Sequence, residues 1–178
     1  MTRVLLLTVL VLAAAAGCGA AQRNLLSSLG APRAADARGP SAVLDATDEA
    51  GQRVDDARVR GKVVLVDFWA SWCQPCQHSI PFYRRMYERF RTKGLVVVGV
   101  NVDDGREEMV NYLQMHPLPF AIVWDAEKAL SGRFGVMQLP TSFLFDRRGR
   151  LRKTRTGFDP EELRAVEDEI RLLLSESP

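Results

Sequence analysis

The strongest constraint on this chain is a change of hydrophobic period across a pair of cysteines. Val63-Val64-Leu65-Val66-Asp67-Phe68-Trp69 is an almost continuous β-branched and apolar run, the pattern of a strand buried on both faces. Beyond it, Ile80, Tyr83, Met86, Tyr87 and Phe90 recur at intervals of three and four and mark a helix that ends before Gly94. Cys73-Gln74-Pro75-Cys76 stands where the strand gives way to the helix. A buried strand with a helix folded back on it requires a layered α/β structure.

The rest of the chain extends that pattern. Leu95 to Val102 reads as a second buried strand, Glu107 to Met115 as a helix, Phe120 to Trp124 as a strand and Glu127 to Phe134 as a helix. Thr141 to Phe145 and Leu151 to Thr156 flank the turn Asp146-Arg147-Arg148-Gly149 as an antiparallel hairpin, and Leu163, Val166, Ile170 and Leu173 stripe a last helix. Between Ala42 and Val59, short apolar pairs flank Asp48-Glu49-Ala50-Gly51, which predicts a small hairpin leading into an irregular turn. The expectation is one α/β domain over residues 42–178, a mixed central sheet flanked by helices. The 178 residues suit a single domain with short extras. A composition of 47% hydrophobic and 26% charged residues excludes collagen-like, coiled-coil and wholly disordered chains. A domain of this size buries roughly 70% of its unfolded surface without a disulfide scaffold, which leaves the cysteines free for chemistry. The formal charge of +2 argues against a nucleic-acid partner bound through a broad basic field.

The first residues read differently. Arg3 precedes an apolar run from Val4 to Ala16, broken only by Thr8 and followed by small residues, the order of a secretory signal over residues 1–17. The run is short for a permanent membrane span. Ala15-Ala16-Gly17-Cys18 resembles the bacterial lipobox, with Ala15 where Leu is usual, so Cys18 is the candidate lipidation site and the lipid bilayer a candidate partner. Simple secretion, with Cys18 incidental or removed, is the alternative. Residues 18–41, rich in Ala, Gly, Pro, Ser and Arg, read as a tether. Either export route predicts an extracytoplasmic, disulfide-permissive compartment.

At the start of a helix, unpaired N–H groups and the helix dipole favour the Cys73 thiolate. A C-x-x-C is also half of a zinc site, which only His78, His116 and Cys18 could complete, and there is no second C-x-x-C. Redox chemistry is the first reading. The competing one is a metal-delivery or metal-sensing lipoprotein that holds copper or zinc through the two thiols. On the redox reading no bound cofactor or metal is expected.

Val-Asp-Phe-Trp-Ala-Ser-Trp-Cys-Gln-Pro-Cys (Val66 to Cys76), Pro81, and Leu139-Pro140-Thr141 before a strand together resemble thioredoxin-like proteins over about residues 42 to 174. The stretch from Asn101 to Pro140 is longer than plain thioredoxin allows and reads as an added strand and helix. With the N-terminal hairpin, it is similar to the membrane-tethered periplasmic branch typified by TlpA and ResA. The resemblance implies a thioredoxin fold with that hairpin and that central insertion. It also implies thiol-disulfide exchange with protein thiols and disulfides. Because Gln74 and Pro75 supply no cation to the Cys73 thiolate, the expected role is that of a reductant or isomerase, which in an oxidising compartment needs electrons from a membrane donor.

The resemblance implies roles as well. Cys73 is the exposed nucleophile and Cys76 the buried resolving cysteine. Pro140 matches the cis-proline beside the disulfide, flanked by Leu139 and Thr141 at the substrate edge; the plainer reading is a proline that starts a strand. Trp72 stacks beside the nucleophile in relatives, although packing alone would also explain it. Gln74 and Pro75, the residues that tune the pair, carry no cation to stabilise the Cys73 thiolate. Asp67 interrupts an apolar strand, where burial raises a carboxyl's pKa and suits it to accept the Cys76 proton, as the matching Asp does in thioredoxin. A local hydrogen bond or water at a sheet edge is the alternative. The Lys that accompanies this Asp in thioredoxin matches Gly99, so no charge pairing is expected. Cytochrome-maturation members usually carry Asn at this strand position and Glu three residues after the second Cys. Asp67 and Ser79 stand there instead, which counts against apocytochrome reduction.

Lesser signals read as structural. His78 suits a solvated helix face better than a role at Cys76, His116 suits a helix end, and Pro81 should kink its helix. Arg147, Arg148, Arg150, Arg152, Lys153 and Arg155 read as an exposed hairpin, or else as a contact for anionic headgroups or an acidic partner.

Overall fold

The computed structural model describes residues 44–177. The expected signal segment 1–17 and the whole expected tether 18–41, Cys18 included, lie outside the described residues. A short hairpin of β1 (Ala46–Thr47) and β2 (Arg53–Val54) leads into a single helical turn, α1 (Asp56–Val59). That turn replaces the expected irregular one, because the Asp55 side chain accepts from the N–H groups of Ala57 and Arg58 and caps it. There follow β3 (Val63–Trp69), α2 (Gln74–Phe90), a 3₁₀ turn (Arg91–Lys93), β4 (Leu95–Asn101), α3 (Arg106–Met115) and β5 (Ala121–Trp124). The chain continues with α4 (Ala129–Phe134), β6 (Thr141–Phe145), β7 (Leu151–Thr156) and α5 (Pro160–Ser175). Pro81 lies inside α2, which continues through it to Phe90.

The five-stranded sheet runs in the order β5-β4-β3-β6-β7. β3, β4 and β5 are parallel, whereas β6 and β7 are antiparallel to their neighbours. This is the mixed sheet that the resemblance implied, and the stretch between β4 and β6 supplies its edge strand β5. All seven residues of β3 are buried, so both sheet faces need cover. On one face Val63, Leu65, Leu95 and Val97 meet Phe82, Tyr83, Met86 and Phe90 of α2 and Leu163, Val166, Ile170 and Leu173 of α5. On the other, Val64, Val66, Phe68, Val98 and Val100 meet Leu130 and Phe134 of α4, together with Val54 and Val59. α4 begins at Ala129 rather than Glu127 because Lys128 takes a left-handed conformation (φ 56°) and its Nζ donates to the carbonyls of Val102 and Asp103 at 2.8 and 3.0 Å.

The basic hairpin is largely occupied with holding the fold. Arg147 donates to the carbonyl oxygens of Gly61, Lys93 and Leu174 at 2.9, 3.2 and 3.1 Å, tying the β6–β7 turn to three other segments. Arg150 donates to Asp146 at 2.7 Å, and Arg152 lies 3.4 Å from Glu169 and 3.3 Å from Glu176. Arg155 is only 4% exposed, which corrects its reading as one of a row of surface bases.

Gly99 of β4 is opposite Asp67 in register, and a Cβ built there would lie 2.9 Å from Ile122 Cδ1, 3.1 Å from Trp69 Nε1 and 3.3 Å from Phe120 Cε2. The site is full. Gly99→Ala should therefore lower stability by about 1–3 kcal/mol through overpacking, read as a lower urea midpoint at unchanged slope.

Candidate active site

Strand β3 delivers the chain to the site, and the loop 70–72 turns it into α2. Cys73 is the N-cap of that helix, accepting through Sγ from the Cys76 N–H at 3.2 Å, with Pro75 in the first turn. The two sulfurs are bonded at 2.03 Å, with the Cα atoms 5.2 Å apart. Cys73 is 5% exposed and Cys76 wholly buried, so the sulfur at the helix terminus is the one nearer solvent. Gln74 and Pro75 are exposed beside it.

The loop before Cys73 is fixed by a residue that the sequence reading did not single out. Asp103, wholly buried just past β4, accepts from the Ser71 N–H through both carboxylate oxygens at 2.9 and 3.2 Å. Asn101 brackets it, donating to Asp103 Oδ2 at 2.9 Å and accepting from the Asp103 N–H at 3.0 Å. A buried carboxylate with these partners holds the loop at one height above the sheet. The available signal was an acid just past an apolar strand, where ordinary turn chemistry would have explained it equally well.

The opposite rim is formed by the segment before β6. The Leu139–Pro140 peptide is cis. Pro140 is buried, its carbonyl accepts from the Gly157 N–H at 2.8 Å, and Thr141 Oγ1 donates to the Gln138 carbonyl at 2.8 Å. Leu139 is half-buried against the apolar cluster that includes both cysteines. Trp72 is 68% exposed, so packing does not account for it, and Met137 is 93% exposed. Phe158, also partly exposed, meets the His78 ring at 5.3 Å between centroids. Lone apolar residues in loops, such as Met137 and Phe158, carry no signal in a sequence. His116 caps the end of α3 with its ring 4.7 Å from Tyr112, and Ser79 is buried with its hydroxyl donating to the Cys76 carbonyl at 3.1 Å. Among the described residues there is no group of three or more His, Cys, Asp or Glu placed to hold a metal ion.

Asp67 lies on the sheet face covered by α2, is 2% exposed, and its Oδ1 has no hydrogen-bond partner. The two sheet neighbours in its row are Gly99 and Ser142, and Tyr83 of α2 donates to the Ser142 hydroxyl at 3.0 Å. Burial pushes the Asp67 carboxyl well above the usual range, and the Arg155 guanidinium opposes this in part. No cation occupies the Gly99 side, and among the described residues Asp67 forms no ion pair; Arg155 of β7 acts on the carboxyl from further off. Burial also raises the Tyr83 hydroxyl, and the Asp67 charge raises it further.

A carboxyl with a raised folded-state pKa favours folding fully below its unfolded value of about 3.9, and that advantage is lost as pH rises through the folded value. Asp67→Asn removes the ionisation. The oxidised variant should therefore melt above the parent at pH 7–8, by about 2–4 °C per kcal/mol recovered, and the two should converge below about pH 4. Calorimetry across that range checks it.

Residues 36–154 match the model of the AhpC/TSA family. The chain is 30% identical to the thiol-disulfide oxidoreductase ResA of Bacillus subtilis over 134 residues, 75% of this chain and 73% of that one. It is 32% identical to the protein of the same name from Geobacillus thermodenitrificans over 118 residues, 66% of this chain and 67% of that one. Among solved structures it resembles a Chlorobium tepidum protein described as thiol:disulfide interchange protein DsbE. That match has a TM-score of 0.69 and 35% identity and covers 73% of this chain and 92% of that one.

Proposed function

The chain belongs to the AhpC/TSA family and is a thiol-disulfide oxidoreductase of the ResA/DsbE type, and from that premise we propose that it works outside the cytoplasm as a reductant of protein disulfides. The observation that carries the reading is the Cys73–Cys76 disulfide at the start of α2, with the outer sulfur at the helix terminus and the inner one buried. In the reduced protein the Cys73 thiolate attacks one sulfur of a substrate disulfide, forming a mixed disulfide and releasing the other sulfur as a thiolate. Cys76 then loses its proton and attacks Cys73 Sγ, which releases the second substrate thiolate and closes the Cys73–Cys76 bond. Two electrons pass to the substrate. A membrane dithiol donor must return them before the next turnover.

Four further assignments belong to this proposal. Asp67, buried on the α2 side of β3, accepts the Cys76 proton in the resolving step. Trp72 on one rim and Leu139, Pro140 and Thr141 on the other hold the substrate chain across Cys73. Gln74 and Pro75 set the direction, because neither supplies a cation to the Cys73 thiolate, and the His78 ring outside the loop lies against Phe158. What remains is the helix terminus, as in thioredoxin at about −270 mV rather than DsbA at about −120 mV. The signal-like start ending at Cys18 supports export and a lipid anchor on that sulfur. Among the described residues no helix is long and apolar enough to cross a membrane.

Equilibration against a glutathione series should give a potential nearer thioredoxin's, and a value above roughly −150 mV would make the protein an oxidant and overturn the direction. In single-turnover assays Asp67→Asn should leave formation of the mixed disulfide intact and slow its resolution by about 10²- to 10⁴-fold near neutral pH. Unchanged resolution would return Asp67 to a structural role. Mass spectrometry of the membrane-extracted protein should find lipid on Cys18, and an unlipidated N-terminus elsewhere would remove the anchor.

A further inference from the structure

A row of paired residues crosses the sheet through the site: Gly99 of β4, Asp67 of β3, Ser142 of β6 and Arg155 of β7. Laterally paired residues point to the same face, so Asp67 and Arg155 share the face under α2 and α5 with one small hydroxyl between their strands. Both are buried; Asp67 Oδ1 has no hydrogen-bond partner, whereas the Arg155 guanidinium donates through Nη2 to the Asp159 carbonyl at 3.4 Å. A buried guanidinium needs a negative partner. The one at hand is Glu162 of α5, whose Oε2 lies 3.2 Å from Arg155 Nε, but that carboxylate is half exposed and only partly neutralises the cation.

We propose that Arg155 is the counter-ion of Asp67 and a positioning residue for proton transfer at Cys76, entering from the β7 side of the sheet. The inference rests on the reading of Asp67 as proton acceptor. The groups around the carboxyl each have a definite sense. Gly99 contributes no charge, Ser142 is neutral, and Tyr83 of α2, donating to Ser142, stays protonated at working pH. Cys76 of α2 supplies the proton. Arg155 favours the ionised carboxylate, and Glu162 of α5, by offsetting Arg155, weakens that effect.

The test is the titration of the Asp67 carboxyl, followed by carbon NMR in the reduced protein, beside the pH profile of mixed-disulfide resolution. Arg155→Met should raise the titration midpoint by about one pH unit or more, and slow resolution correspondingly, about tenfold, at any pH below both midpoints. Arg155→Lys should restore most of the shift. Glu162→Gln, on an exposed side chain, should lower the midpoint by a smaller amount while leaving the fold intact. In an Asp67→Asn background neither substitution should move the resolution profile. A carboxyl midpoint unchanged in both Arg155→Met and Glu162→Gln overturns the proposal. If the midpoint moves as expected but Asp67→Asn resolves at the parent rate, the counter-ion stands and the proton-acceptor reading fails.

Discussion

Every residue of β3 is buried, with β4 paired along one edge and β6 along the other, and the remaining elements are placed by the need to cover its two faces. Helix α2 returns over one face and brings Cys76, Tyr83 and Phe90 into it. α4 and the N-terminal segment cover the other. The chain leaves the end of β3 with little freedom. Its next turn rises over the sheet edge and starts a helix, so the N-cap of that helix, Cys73, holds its sulfur at the positive end of the dipole. The place of the Cys73 sulfur at the helix terminus is therefore a consequence of how a doubly buried strand ends.

The same geometry needs its loop held still, and the holding groups come from the neighbouring parallel strand. Asp103 and Asn101 leave β4 where Ser71 leaves β3, and the carboxylate is bound to the Ser71 N–H. Lys128 links this corner to the added segment by donating to the Val102 and Asp103 carbonyls from a left-handed backbone. A non-glycine residue in that conformation costs about 1–3 kcal/mol, and at Lys128 the side chain's two hydrogen bonds act against that cost. The insertion thus supports the loop as well as lengthening the sheet.

Residues whose burial follows from period were legible in the sequence, and those whose burial follows from register were not. β3, β4, α2 and α5 announce themselves because long apolar runs or three-four spacing admit one arrangement each. The cysteine pair is legible for the same reason, since it sits where the period changes. Asp67 was conspicuous as a carboxyl inside an apolar strand. Arg155 was not, because Leu151-Arg152-Lys153-Thr154-Arg155-Thr156 reads as a basic, solvated edge until pairing with Ser142 shows which face its fifth residue takes. The turn capped by Asp55 was lost differently: one helical turn has no period to detect.

Burying Asp67 is unfavourable for stability, since the folded state resists its ionisation while the unfolded chain does not. A chain under selection for stability alone would place another Val or Ile at this point of β3. The surroundings moderate the penalty without removing it. Gly99 is walled by Ile122, Trp69 and Phe120, so a long cation cannot enter from β4, whereas on the β6 side the Tyr83 hydroxyl meets Ser142 between Asp67 and Arg155. A full ion pair would hold the carboxylate ionised and a poor base, and complete isolation would hold it protonated and no base at all. Arg155, itself shared with Glu162, offsets only part of the effect of burial, so the carboxyl stays raised.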